Sequence, residues 1–286
     1  MKISVVVPSF NQAQYLEETL QSILSQEGPL EVFVQDGGST DGSVEILKKY
    51  DGRIQWVSSR DGGQSAAINE GLKKATGEIL CYLNSDDLWL PNTLSIVRRA
   101  FTEHPKVSFV YGLADFVDGN GNFLRGYPVE RFDRKRLLET CPICQPACFW
   151  KKSVYEHRGE FDAALRFSMD YEYYLRCFSD GEQFQFIPEK LAMSRYHTGA
   201  KSSKDRVKVN LEALAVLEKY GRPSPTWMRG YARALADDSA EGFWQYAKIY
   251  MDGMREMAGR YKLGFTERAW IFWKLWGSWK LRNRMG

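Results

Sequence analysis

The chain has no large charge excess: 39 Lys and Arg face 36 Asp and Glu, leaving a formal net charge of +3. A dedicated nucleic-acid binder would carry a strong basic surplus, so nucleic acid is not an expected partner. No stretch approaches the run of about 18 apolar residues that a membrane-spanning helix needs. Met1-Lys2 leads into an apolar segment too short for the core of a signal peptide, and no cleavage site follows it. Histidine is scarce, and His104, His157 and His197 lie at no spacing that would complete a zinc site with Cys141, Cys144 and Cys148. The five cysteines are an odd number and read as buried or incidental reduced thiols, as expected in the cytoplasm. There is no G-x-G-x-x-G and no P-loop, which leaves dinucleotide and Walker-type readings without support. Neither an internal repeat nor a low-complexity tract is present.

What remains is enough for a packed protein. Apolar residues make up 44% of the 286 and aromatic residues 14%, ample for one large domain or one domain with an appendage. "ISVVVPS" (3–9) is a continuous apolar run of the kind buried on both faces of a sheet. A helix capped by Asn11 and running to about Gln26 follows, with Tyr15, Leu16, Leu20, Ile23 and Leu24 as its apolar stripe. Strands are expected at 30–36, 54–59 and 78–84, with helices at 43–50 and 63–77, the second closed by Gly77. Such alternation means an α/β fold with a mostly parallel sheet covered on both faces. After residue 105 the pattern changes to a hairpin with an Asn-Gly turn, a short helix near 133–139 and a strand near 146–150. A helix over 167–181 and two short strands in "FQFIPEKLAMSRYH" come next, and from Lys204 onward the chain reads as helical.

In sheets of this kind ligands bind beyond the carboxyl ends of the strands. Four successive ends carry ligand-type groups: Pro8-Ser9, Asp36, Arg60-Asp61, and the run Asn84-Ser85-Asp86-Asp87. Gly37 and Gly38 after Asp36 allow close backbone approach to a ligand, and the following helix start offers free N–H groups to anions. The adjacent carboxylates Asp86 and Asp87 suit a hard divalent cation bridging to a pyrophosphate. They also suit a helix N-cap, although Pro91 and Asn92 already serve the helix that follows.

The stretches "VVVPSFNQAQYLEETLQSILSQ", "DGGSTDGS", "DGGQSAAINEGLKKATGEILCYLNSDD", "GEFDAAL" and "SMDYEYYLRC", in this order, resemble the family 2 glycosyltransferases over residues 1 to about 205. That resemblance implies a GT-A fold, a Rossmann-like mixed sheet flanked by helices, here with a C-terminal helical extension. It also implies an inverting enzyme that takes a sugar from a nucleotide-diphosphate donor, a UDP- or dTDP-sugar. By the same resemblance Asp36 reads the donor's base, with Pro8 and Ser9 in that pocket and Arg60 and Asp61 touching the nucleotide. Asn84-Ser85-Asp86 aligns with the D-x-D motif, which makes Asp86 the ligand of Mn²⁺ or Mg²⁺, while Asp87 supports it or faces the donor sugar. Asn84 stands where that motif has its first aspartate, so it can hydrogen-bond a ribose but brings no charge. Asp170 occupies the catalytic-base position, with Met169 where glutamate is common, and a helix N-terminus would keep Asp170 ionised. His197 matches a histidine that contacts metal or phosphate, against the plainer reading of a structural ring. Gln145 and Pro146 match part of the acceptor pocket.

The expected organisation is a nucleotide-sugar-binding half (1–105), an acceptor-binding and catalytic half (106–205) and a helical extension (206–286). In "TERAWIFWKLWGSWKLRNRMG" (266–286) four tryptophans share a helix with five Lys or Arg. This is the pattern of an interfacial helix on an anionic leaflet, or else of a helix packed on the protein with a basic rim. The first reading suits an enzyme of polysaccharide biosynthesis, peripheral on the inner face of the membrane, acting on a glycan or lipid-linked glycan acceptor. Three other functions compete. A nucleotidyltransferase would want a Gly-rich, basic loop after the first strand, and "PSFNQAQY" has none. A processive synthase would want a spanning helix and Q-x-x-R-W. A non-catalytic nucleotide-sugar binder of the same fold is the alternative that Asn84 and Met169 keep open.

Overall fold

The computed structural model describes residues 1–197, 199–221 and 224–262. The expected tail helix at 266–286 lies outside the described residues. β1 (Ile3–Ser9), β2 (Leu30–Asp36), β3 (Gln55–Ser58) and β4 (Ile79–Tyr82) alternate with α1 (Ala13–Leu24), α2 (Ser43–Lys48) and α3 (Gln64–Lys74). Then come β5 (Leu88–Trp89), α4 (Thr93–Glu103), the hairpin β6 (Phe109–Val117) and β7 (Phe123–Gly126), and α5 (Arg134–Glu139). A 3₁₀ turn at Gln145–Ala147 leads into β8 (Cys148–Lys151), α6 (Lys152–Arg158), α7 (Met169–Ser179) and β9 (Phe184–Arg195). The last helices are α8 (Lys201–Lys204), α9 (Arg206–Glu218), α10 (Pro225–Ser239) and α11 (Phe243–Arg260).

The strands form a mixed sheet in the order β3-β2-β1-β4-β8-β6-β9-β5, with β7 paired to β6. β3, β2, β1 and β4 are mutually parallel, so their carboxyl ends share one edge, while β8 runs antiparallel to both β4 and β6. Every residue of β1 is buried, as its uninterrupted apolar run requires. Leu16, Leu20 and Ile23 of α1 are fully buried, each contributing about 1.5–3 kcal/mol of apolar burial. Two compact units divide the chain: Met1–Arg134 with Cys141–Thr198, and Lys135–Thr140 with the chain from Gly199 onward. The second has its own apolar core, in which Leu214, Met228, Tyr246, Tyr250 and Met254 are fully buried. Among the described residues no helix is long and apolar enough to cross a membrane.

Several local expectations are corrected. Asn11 does not cap α1: it has a left-handed backbone (φ 52°), and its side-chain oxygen accepts from the Thr40 N–H at 3.0 Å. The α1 start is satisfied from the β2–α2 loop instead, where Asp41 Oδ2 accepts from the Ala13 N–H at 2.9 Å. Gly77 does not close α3, which ends at Lys74 with Ala75 extended. Gly77 lies against β1, where a Cβ would stand 2.5 Å from Ser4 Oγ and 2.8 Å from Ser4 N. The segment expected as two short strands is the single twelve-residue β9. Its pairing with β6 jumps register between Tyr111↔Phe186 and Leu113↔Lys190, and this bulge carries Pro188, which has no N–H for a regular ladder.

Candidate active site

The loops after β1, β2 and β3 interlock around Asp36. This carboxylate, 2% exposed, accepts from the Ser39 and Gly38 N–H groups (2.9 and 3.2 Å) and from the hydroxyls of Ser39 (2.5 Å) and Ser58 (2.6 Å). Gly37 donates its N–H to the Ser9 carbonyl at 2.8 Å. A Cβ on Gly37 would stand 3.2 Å from both Asp61 Oδ2 and the Phe10 ring, so the missing side chain is what lets these loops close up. Pro8 is buried within β1, and Arg60 and Asp61 are exposed on the rim. Ser9 is buried, yet its hydroxyl has no hydrogen-bond partner among the described residues. Phe10, which the sequence reading passed over, projects from the same edge with 61% of its surface exposed.

The run Asn84–Asp87 ends β4, and its four side chains have different partners. Asn84 lies in an amide network: its oxygen accepts from Gln64 Nε2 at 2.7 Å, and its nitrogen donates to Asp87 Oδ2 (3.2 Å) and Gln145 Oε1 (3.3 Å). Ser85 is buried, and its carbonyl accepts from the Thr19 hydroxyl of α1 at 3.0 Å, as does the Asp87 carbonyl at 2.9 Å. Asp86 Oδ2 and His197 Nε2 meet at 3.0 Å, although 111 residues separate them. Asp87 turns the other way from Asp86. Expected to support the metal or face the donor sugar, it is buried and accepts from the Arg195 N–H at 2.9 Å. Burial, and then the neighbouring charge of Asp86, raise its pKa to about 7 against the pull of the Arg195, Asn84 and Ser194 donors.

Arg195 holds this arrangement together. Its side chain is 1% exposed and donates from Nε to the Asp86 carbonyl (3.0 Å), from Nη1 to the Gly119 carbonyl (2.9 Å) and from Nη2 to Glu18 (2.7 Å). The guanidinium also lies 4.7 Å over the Tyr15 ring, and Tyr15 contacts the His197 ring at 4.9 Å. Arg195, Glu18, Tyr15, Thr19 and Gln64 were missed by sequence reasoning. No spacing marks them, because α1, α3, the β4 loop and β9 meet only in the fold.

A divalent cation fits Asp86 and His197. The two are in direct hydrogen-bond contact at 3.0 Å, and an ion would replace the shared proton, with the carboxylate oxygen and the imidazole nitrogen as its ligands. Among the described residues no group of three or more His, Cys, Asp or Glu side chains gathers. An ion here would therefore take two protein ligands and leave positions for phosphate oxygens and water, the arrangement that suits Mg²⁺ or Mn²⁺.

Asp170 lies in the first turn of α7, where its Oδ1 accepts from the Tyr171 N–H at 2.8 Å. Met169 beside it is buried, and its sulfur accepts from the Ser65 hydroxyl of α3 at 2.7 Å. Tyr82 ends β4, and burial first, then the charge of Asp170, push its phenol well above the usual range. Gln145, expected in the acceptor pocket, is buried and donates to the Tyr82 carbonyl at 2.7 Å, while the Pro146 carbonyl accepts from Trp89 Nε1 at 2.9 Å. Gln145 thus braces the end of β4 and Pro146 braces β5 from inside. Cys81, Cys144, Cys148 and Cys177 are buried free thiols, and Cys141 is half-buried.

Comparison with known proteins shows the family and the fold. The family model described as "Glycosyl transferase family 2" matches residues 4–159. A PGL/p-HBAD biosynthesis glycosyltransferase of Mycobacterium bovis is 33% identical over 183 residues, spanning 62% of this chain and 70% of that protein. A glycosyltransferase of Rickettsia typhi is 27% identical over 211 residues, spanning 68% and 64%. Among solved structures, S. aureus TarS 1-349 in complex with UDP-GlcNAc superposes with a TM-score of 0.65 at 17% identity, covering 98% of this chain and 92% of that one. The Pyrobaculum calidifontis mannosyltransferase PcManGT, in complex with GDP-Man and Mn²⁺, gives 0.61 at 20% identity, covering 97% and 85%. The model match covers more than half of the chain, and the chain belongs to glycosyl transferase family 2, with the GT-A fold.

Proposed function

We propose that this glycosyltransferase moves a sugar, with inversion, from a nucleoside-diphosphate donor to a hydroxyl of a glycan or lipid-linked glycan acceptor. The observation that carries the reading is the gathering at one sheet edge of Asp36, the orphaned Ser9 hydroxyl and the Asp86–His197 pair, with Asp170 next to Met169, which α3 ties to Asn84 through Ser65 and Gln64. In this reading the base lies over the loop that Asp36 shapes, where Ser9 finds its missing partner and Phe10 offers an exposed ring for stacking. Asp86 and His197 would hold Mn²⁺ or Mg²⁺, which when bound offsets the charge of the departing diphosphate. Asn84 is held by Gln64 and Gln145 as a neutral donor and acceptor beside the ribose.

Inversion is a single displacement at the anomeric carbon, so one base must take the proton of the incoming hydroxyl. Asp170 fills that role at the N-terminus of α7, where the helix dipole favours its ionised form. Met169 beside it is neutral and adds no second negative charge. The bound state of two related folds, one with UDP-GlcNAc and one with GDP-Man and Mn²⁺, supports a nucleotide sugar as donor and leaves the base open. The tryptophan-rich, basic segment 266–286 supports a lipid-surface acceptor.

The test is a panel of UDP-, dTDP- and GDP-sugars, assayed for nucleoside diphosphate release and thermal shift with Mn²⁺, with Mg²⁺ and with EDTA. One donor class is expected to raise the melting temperature and be turned over in a metal-dependent way. If no nucleotide sugar or nucleoside diphosphate shifts the melting curve in any metal, the reading fails. Binding without turnover of any donor would favour the non-catalytic alternative.

A further inference from the structure

Few large apolar side chains are exposed on the first unit, and two rings flank the candidate catalytic groups. Phe10 lies on the nucleotide side; Tyr196, 52% exposed, directly precedes His197 at the end of β9. The Tyr196 backbone is fixed, since its N–H donates to the Val117 carbonyl at 2.7 Å and carries the β6–β9 pairing one residue further. Its ring stands at 83° to that of Phe116, with centroids 6.4 Å apart. Phe116 is itself half-buried: Tyr127 stacks on it at 4.5 Å, and the Arg125 guanidinium lies 4.5 Å from its centroid. The perpendicular Tyr196 therefore meets the edge of a stack whose faces are taken, and much of its own ring stays open to solvent.

We infer that Tyr196, braced by the Phe116–Tyr127 stack, is the platform on which a pyranose ring of the acceptor lies. The inference rests on the donor-site reading above and names the substrate class on its other side. A rigid, half-open aromatic ring with polar groups beside it suits a sugar, whose ring faces present C–H groups while its hydroxyls seek hydrogen bonds. Position favours the acceptor over the donor. Tyr196 lies between the arginine that fixes Asp86 and the histidine that meets it. Its strand stands beyond β8 and β6 from β4, so it lies across the Asn84–Asp87 run from the loops around Asp36. An acceptor sugar on Tyr196 would thus present its hydroxyl beside the Asp86–His197 pair. Arg125 at the rim adds a cation for an acceptor that carries a phosphate.

The experiment uses the full chain and a set of methyl pyranosides as probes, followed by saturation-transfer NMR in the presence of UDP and Mn²⁺. At least one pyranoside is expected to bind with contacts on its C–H face. Tyr196→Ala should weaken it about ten-fold, or about 1.4 kcal/mol, while Tyr196→Phe and Tyr196→Trp keep the affinity. Equal binding to native protein and Tyr196→Ala overturns the inference, as does a failure of every pyranoside to bind. Circular dichroism and melting of each variant exclude misfolding, which an exposed ring gives little reason to expect. Donor turnover by the native protein is measured alongside. Its absence would sink the donor reading, whereas turnover with no Tyr196-dependent sugar binding would sink only this inference.

Discussion

Replacing Arg195 should both destabilise the protein and loosen the proposed metal site. The side chain is buried, donates to two carbonyls and one carboxylate, and covers a tyrosine ring. Hydrogen bonds from a charged donor are worth about 1.5–3 kcal/mol each, and the stacked cation adds about 0.5–2. The net is smaller than the sum, because burying the guanidinium has already cost desolvation and Glu18 is largely exposed. Arg195→Ala is therefore expected to lose about 3–5 kcal/mol, since the Asp86 and Gly119 carbonyls are left without a donor. For a unit of this size that corresponds to a fall in melting temperature of roughly 10 °C. Arg195→Lys keeps the charge but not the fork that reaches three acceptors, so about half of the loss should remain. Because Nε holds the Asp86 backbone, the lysine variant should also bind Mn²⁺ about ten-fold more weakly in the presence of UDP, measured by calorimetry. A melting shift under about 2 °C for Arg195→Ala, or unchanged Mn²⁺ affinity in Arg195→Lys, would refute the reasoning.

Two further perturbations probe the opposite edge of the sheet. Glu31 accepts from Ser4, from the N–H and hydroxyl of Thr76 and from the Gly77 N–H, and it pairs with Lys2 at 2.6 Å. Burial alone would raise its pKa, but these partners outweigh burial and bring it to about 2. A depressed carboxylate stabilises the fold above its unfolded pKa, and that stability is lost as pH falls from about 4.5 through about 2. Glu31→Gln should cost about 2 kcal/mol at pH 7 by urea unfolding, with the gap to native protein closing toward pH 2; a gap that persists there would contradict the linkage. Gly77→Ala should cost about 1–3 kcal/mol, because the added Cβ meets β1 backbone that cannot step aside. A neutral result would contradict the close approach of Gly77 to Ser4.

The repeating half of the fold was legible because its signals are local. β1, β2 and α1 follow from uninterrupted or periodic apolar runs, and burial of Leu16, Leu20 and Ile23 matches the stripe. Errors arose where one segment borrows from another. Asn11 looks like a cap, but the α1 N–H groups are met by the loop after β2. Gly77 looks like a helix stop, but it is small because β1 passes beside it. Pro188 looks like a strand break, but β9 absorbs it in a bulge opposite Gly112.

The candidate site divides in the same way. Asp36 and the Asn84–Asp87 run could be picked out as polar strand ends, whereas the pairing of Asp86 with His197 spans 111 residues and no spacing rule contains it. Adjacent Asp86 and Asp87 could not be told apart in sequence, yet the turn sends one toward His197 and the other into the protein beside Arg195. Gln64, Thr19 and Arg195 were invisible for a simpler reason. Their chemistry consists of holding other residues in place, and only the assembled contacts reveal it.

The most direct test of the central claim concerns Asp170. With the donor identified from the panel, native protein and Asp170→Asn would be compared for donor affinity by calorimetry and for transfer by nucleoside diphosphate release. Loss of the proposed base should lower the rate at least 10²-fold, the lower end of what general-base catalysis contributes, while donor and Mn²⁺ affinities stay within about two-fold. Transfer within ten-fold of native would contradict the assignment of Asp170, and an equal loss of donor binding would make it a structural residue.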